Sequence, residues 1–302
     1  MTSFFRNRSR LVVTVSLSIF LLGMLSLGWA QHLLDLTNAE NAAYDAAWMA
    51  AGVAEVRAWL ESGANPNAVD KTGKTALMYA AKFNQNEDII TELVTAGANP
   101  NAQDNAGATA LLASITPQQN PAVTFELLKL GADVNLKTNF GSTALAQAIT
   151  YKKEAAVVSA LIEAGANLEA RALFGKTPLI MAVATHNTPE TVELLLKGGA
   201  SVYRQDAEGK DALMWAAIAK AESKVVNLLL AADADVNVQD DMGATALIYA
   251  VVHNNNRMVT ALLEAGANVQ VRDDRGGRAI DYARQQLTDA KALEQLQRAS
   301  GV

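Results

Sequence analysis

The chain has 302 residues, 50% of them hydrophobic and 19% charged, which is the composition of a folded protein and assigns no chemistry by itself. It carries a net charge of −6 and no cysteine, so disulfides and thiolate zinc sites are excluded. With no basic cluster past residue 10, nucleic acid and anionic membrane surfaces are poor partners for it.

The first thirty residues have the layout of a secretory signal peptide. Arg6, Arg8 and Arg10 precede an apolar run from Leu11 to Leu27, and the stretch GWA at 28–30 places small residues before Gln31. The alternative is a retained inner-membrane anchor, since the run is just long enough to span a bilayer. Either arrangement exports everything after residue 30, to the periplasm of a bacterium or beyond it. Without the leader, 22 basic residues face 31 acidic ones, a net charge of −9. The chain touches a membrane only if the leader is retained.

From residue 70 onward one phrase returns. Glycines stand at 73, 107, 141, 175, 209, 243 and 276, and around them run DKTGKTALMYAA at 70, TNFGSTALAQAI at 138 and ALFGKTPLIMAV at 172. Each phrase is answered about twenty residues later by another of the type LLKLGADVNLK. The glycine lets the chain turn with a positive φ. The residue two places on (Thr75, Thr109, Thr143, Thr177, Asp211, Thr245) is a good helix N-cap. A leucine and small residues follow, then a second helix with paired apolar residues such as Val225, Val226, Leu229 and Leu230, closed by a glycine. Asp233 replaces that closing glycine in one unit, at a cost of about 1 kcal/mol. Such a turn with two helices cannot bury its apolar face alone and must stack on its neighbours.

The phrase resembles that of the ankyrin-repeat family. Thr177, Pro178 and Leu179 match the family's T-P-L most closely, and GADVN stands verbatim at 131–135. The resemblance implies an all-α fold, an ankyrin-repeat α-solenoid. Residues 31–69 form an N-terminal linker and capping repeat. Six full repeats follow at 70–103, 104–137, 138–171, 172–205, 206–239 and 240–272, and a polar capping repeat at 273–302. Two departures are systematic: the family's histidine is replaced by Met78, Leu112, Ala146, Ile180, Met214 and Ile248, and its proline survives only as Pro178. Hydrophobic contact therefore takes the place of a polar tie between repeats.

No residues break the repeat in order to do chemistry. His32, His186 and His253 have no metal-ligand spacing, and the acid pairs Asp240–Asp241 and Asp273–Asp274 lack the dense oxygen-ligand loop of a calcium site. No nucleophile elbow, phosphate loop or zinc-protease motif occurs. The expectation is a non-enzymatic chain without cofactor or metal, monomeric, whose partner is another protein.

In the ankyrin family partners bind the concave face, at turn tips and along the first helices. Here the free tip positions include Phe140, Leu173, Phe174 and Met242, and the first helices carry Tyr79, Phe83, Tyr151, Met181, Trp215 and Tyr249. Aromatics on a helix are more often packing than binding, whereas apolar side chains on turn tips mark an interaction site. Phe140, Leu173, Phe174, Met242, Phe83, Tyr151, Trp215 and Tyr249 are the candidate partner-binding residues. A small ligand or cell-wall component stacked on these aromatics is the other reading. Glu169 and Tyr203 stand where GADVN has its asparagine, so the region 138–240 is both more aromatic and less regular than its flanks.

Overall fold

The computed structural model describes residues 48–185, 188–286 and 290–301. The leader, His32 and His186 lie outside these residues. Helix α1 (Val53–Glu61) is followed by seven pairs: α2 (Ala76–Phe83) and α3 (Glu87–Thr95); α4 (Ala110–Ser114) and α5 (Pro121–Lys129); α6 (Ala144–Thr150) and α7 (Ala155–Glu163); α8 (Pro178–Ala184) and α9 (Pro189–Lys197); α10 (Ala212–Ile218) and α11 (Ser223–Ala231); α12 (Ala246–Val252) and α13 (Asn256–Glu264); α14 (Ala279–Gln286) and α15 (Ala290–Ser300). The described residues contain no β-sheet, only a single bridge between Val69 and Thr75. None of their helices is long and apolar enough to cross a membrane.

Each first helix starts where its cap dictates. The hydroxyls of Thr75, Thr109, Thr143, Thr177 and Thr245, and the carboxylate of Asp211, all accept the amide three residues on, satisfying one of the donors a helix start leaves open. The motif leucines Leu77, Leu111, Leu145, Leu179, Leu213 and Leu247 are fully buried, as are Ala80, Ala148, Ala182, Ala216 and Ala250 beside them. These small residues let each first helix pack on its own second helix and on the first helix of the next repeat, while second helices pack on second helices. The result is one continuous apolar layer. Of the residues in place of the family histidine, Met78, Leu112, Ile180, Met214 and Ile248 are buried in it and Ala146 is buried beside it, so hydrophobic contact replaces the polar tie as the sequence implies.

Asp233 closes α11 with φ 61° and is exposed, the left-handed conformation that glycine holds at 97, 131, 165, 199 and 266. Asp233→Gly is expected to raise the unfolding free energy by about 0.5 to 1 kcal/mol in urea denaturation, because only glycine adopts this conformation without a steric penalty. Asp211, the one acidic cap of a first helix, is buried. Burial pushes its carboxyl up to about 6, helped by the charges of Asp235 and Asp206 and opposed by hydrogen bonds from the Met214 and Leu213 amides. A carboxyl raised in the fold destabilises the native state once ionised. Stability should therefore be lost as pH rises from about 4 through 6 and remain lost above it. Asp211→Thr, the cap used elsewhere, is expected to be more stable than the parent by roughly 1 to 2 kcal/mol at pH 7.5, with the gap closing near pH 4.5.

Candidate protein-interaction surface

In five of the repeats the turn preceding the first helix is held by its leading aspartate. One carboxylate oxygen of Asp70 accepts the amides of Thr72 (2.7 Å) and Lys74 (3.0 Å). Asp104, Asp206, Asp240 and Asp273 clamp their own turns in the same way, on the residues two and four further on. Such an Asx clamp fixes the amide at the third turn position and with it the turn type. The clamped tip then bonds to the next one. Asn105 donates its amide to the Thr72 carbonyl (2.9 Å), Asn139 to Ala106 (2.8 Å), Asp241 to Glu208 (3.2 Å) and Asp274 to Met242 (2.9 Å).

The second oxygen of the same aspartate reaches the first helix. It accepts the Tyr79 hydroxyl in Asp70 (2.6 Å), the Trp215 indole N–H in Asp206 (2.8 Å), the Tyr249 hydroxyl in Asp240 (2.5 Å) and the Tyr282 hydroxyl in Asp273 (2.6 Å). Trp215 and Tyr249, two candidates from the sequence, are thus half-buried, packed on the core and tied to their turns. The ammonium of Lys176 lies 3.6 Å over the Trp215 ring, and that of Lys210 lies 5.8 Å over Tyr249. Burial and the Asp240 hydrogen bond hold the Tyr249 phenol above its ordinary range, so it remains a donor. Phe83 is half-buried, its ring 6.3 Å from that of Tyr79. Both oxygens of Asp240 and of Asp273 are committed to backbone amides and a tyrosine, and among the described residues no three acidic or histidine side chains group to hold a metal.

The third and fourth repeats depart from this scheme. Thr138 supplies one bond, from the Ser142 amide (3.2 Å), and Ala172 has no side-chain acceptor at all. In the unclamped turn Leu173–Gly175, Phe174 takes φ 61° and ψ 23°, a left-handed conformation at the third turn position that favours glycine or asparagine. It is the only residue preceding a turn glycine with positive φ among the described residues. A bulky side chain there stores roughly 1 to 2 kcal/mol of strain. The tip ladder breaks at the same place. No bond joins the Leu173 amide to the Phe140 carbonyl, although the next seam is closed again by Ala207 donating to Phe174 (2.9 Å). A methyl group added at Gly73, Gly107, Gly175, Gly209 or Gly243 would meet the next turn at 2.6 to 3.0 Å, but at Gly141 it would meet only the Arg171 carbonyl at 3.8 Å. The two turns stand apart.

Around this gap the apolar tips are brought together: Phe140 is 80% exposed, Leu173 67% and Phe174 72%. Met242, 61% exposed, lies two tips further along, and Tyr151, 44% exposed, caps α6 away from them. The opposite edge is irregular in the same repeats. Asn67, Asn101 and Asn135 each bracket the next repeat, accepting an amide and donating to a helix-ending glycine carbonyl. Glu169 keeps the accepting half through the Ser201 amide and adds Arg204, while no such bracket runs from the exposed Tyr203. The sequence reading finds the tips but not the clamp. Its signal is present, however, as an aspartate followed nine residues later by Tyr or Trp in four units, and by neither at 138 and 172.

A stack of capped helix pairs joined tip to tip, with its chemistry confined to side-chain ties, is a repeat scaffold with an open face. Ankyrin repeats match the sequence in three overlapping copies, over residues 43–138, 113–206 and 180–273. The chain belongs to the ankyrin-repeat family. No curated protein matches it at a significant level. Ankyrin repeats are generally protein–protein interaction modules and typically not enzymes.

Phe174→Gly is expected to leave the melting temperature unchanged or raise it. Relief of the left-handed strain is offset only by the added freedom of the unfolded chain, for a net gain of up to about 1 kcal/mol. A loss of more than about 2 kcal/mol would instead assign the ring to the core.

Proposed function

We propose that this protein is a non-catalytic scaffold that captures a partner protein through the turn tips of its third and fourth full repeats. The observation that carries the reading is the cluster of Phe140, Leu173 and Phe174, three large apolar side chains exposed on adjacent tips. Burying such side chains at an interface releases about 1.5 to 3 kcal/mol apiece before the cost of association, and exposed apolar clusters of this kind mark interaction sites. Met242, two tips further along, and Tyr151, at the far end of α6, lie outside this cluster. Trp215 adjoins the fourth turn through the Lys176 ammonium over its ring, whereas Phe83 and Tyr249 are engaged within the first and sixth repeats, by Tyr79 and by Asp240. The basic, apolar, then small order of residues 1–30 supports export, to the periplasm in a bacterial cell, with the leader cleaved before Gln31.

The test is affinity capture from the native envelope fraction with identification by mass spectrometry, comparing the parent with the double variant Phe140→Ala and Phe174→Ala. The parent is expected to retain a stoichiometric protein that the variant loses, at an unchanged melting temperature. Equal capture by both would move the interface elsewhere, and a steep fall in stability would make the two rings part of the core.

A further inference from the structure

We infer that the gap between the third and fourth turn tips is a peptide-binding slot, which takes an extended segment of a partner protein carrying an apolar residue beside acidic ones. The inference rests on the interaction surface proposed above and specifies the chemistry of what it holds. At five seams the next tip donates its amide to the preceding carbonyl, but here the Phe140 carbonyl and the Leu173 amide have no partner. Backbone groups left open beside apolar surface are available to a complementary donor and acceptor, each bond contributing modestly to affinity. One trans peptide group of an extended chain points its C=O and N–H in opposite directions, the C=O for the Leu173 N–H and the N–H for the Phe140 carbonyl. Gly141 leaves open the room that the next turn fills at the other seams. The exposed side chains of Phe140, Leu173 and Phe174 flank the opening and receive the apolar residue.

Charge selects the rest of the segment. Residues 137–142 and 171–176 include Lys137, Arg171 and Lys176 and no acid, in a chain whose net charge is −6. Lys137 and Arg171 are exposed, so the rim of the slot is cationic within an acidic molecule and its complement is a carboxylate. The slot exists because Ala172 cannot clamp its turn. Ala172→Asn supplies an uncharged acceptor for the Phe174 amide, returns that residue to negative φ and closes the seam.

The test uses the full chain and a fluorescently labelled hexapeptide of alternating phenylalanine and aspartate, followed by anisotropy. The peptide is expected to bind the parent, and to bind Ala172→Asn about tenfold or more weakly while the melting temperature of that variant stays equal or rises. Replacing aspartate by lysine in the peptide, or N-methylating its central peptide bonds, should weaken binding by a similar factor. Exchange of the Leu173 amide with solvent should slow when the peptide binds. Undiminished binding to Ala172→Asn, or no binding of the acidic peptide to the parent, overturns the slot. If capture of the native partner remains sensitive to Phe140→Ala with Phe174→Ala under either outcome, the interaction surface stands without it. A concentration-dependent dimer seen in sedimentation and dissolved by Ala172→Asn would give the seam to a second copy of the chain and overturn the proposal as well.

Discussion

The geometry of the tip face depends on one interaction, the aspartate carboxylate that opens five of the turns. One oxygen accepts two backbone amides and fixes the turn; in four of the five the other accepts a phenol or indole from the first helix, as Asp206 does with Glu208, Lys210 and Trp215. The same side chain therefore sets the conformation of the tip, its height above the helix and the position of the carbonyl that receives the next tip's amide. A hydrogen bond of this kind contributes only about 1 kcal/mol net, but these bonds act together. Removing the carboxylate at Ala172 releases the Phe174 amide, and the turn, the seam and the aromatic tie are lost at one place.

A repeat scaffold can carry such a local fault because each unit contacts only its neighbours. Beneath the irregular tip, Leu179, Ile180, Ala182 and Val183 are as buried as their counterparts elsewhere, and α8 packs on both α6 and α10. Strain of roughly 1 to 2 kcal/mol at Phe174 is small against that burial. Pro178 at the first position of α8 and the Thr177 cap hold the helix start regardless of what the turn does. The scaffold thus separates the part that must be regular from the part that can vary, and the variation falls on the tips.

Much of this was legible in the sequence. The spacing of the glycines, the threonine caps and the leucines defined the helix pairs and their stacking, since each reports a local requirement that the residue itself meets. The apolar residues in place of histidine told where the layer would be dry. Phe140 and Phe174 stood out because turns rarely carry such side chains. The aromatics of the first helices were harder to place. Tyr79, Trp215 and Tyr249 sit at positions that suit packing and binding equally, and the decisive fact is a bond to a residue nine positions earlier, across a turn whose geometry had first to be known.

The left-handed conformation of Phe174 was not legible, and the reason is physical. Nothing about a phenylalanine favours positive φ, and the missing acceptor at Ala172 does not enforce it alone, since the Phe140 amide also makes no bond to Thr138 and Phe140 keeps negative φ. A missing side chain leaves no signal until the function of its counterparts is understood. Once the aspartates are seen as clamps, Ala172 ceases to be a neutral substitution. The break in the ladder, the open space at Gly141 and the exposure of three apolar side chains coincide at the one seam whose two turns both lack the aspartate. Two neighbouring turns without the aspartate, at Thr138 and Ala172, meet here, and the seam between the third and fourth repeats is where the regular scaffold gives way to exposed apolar tips.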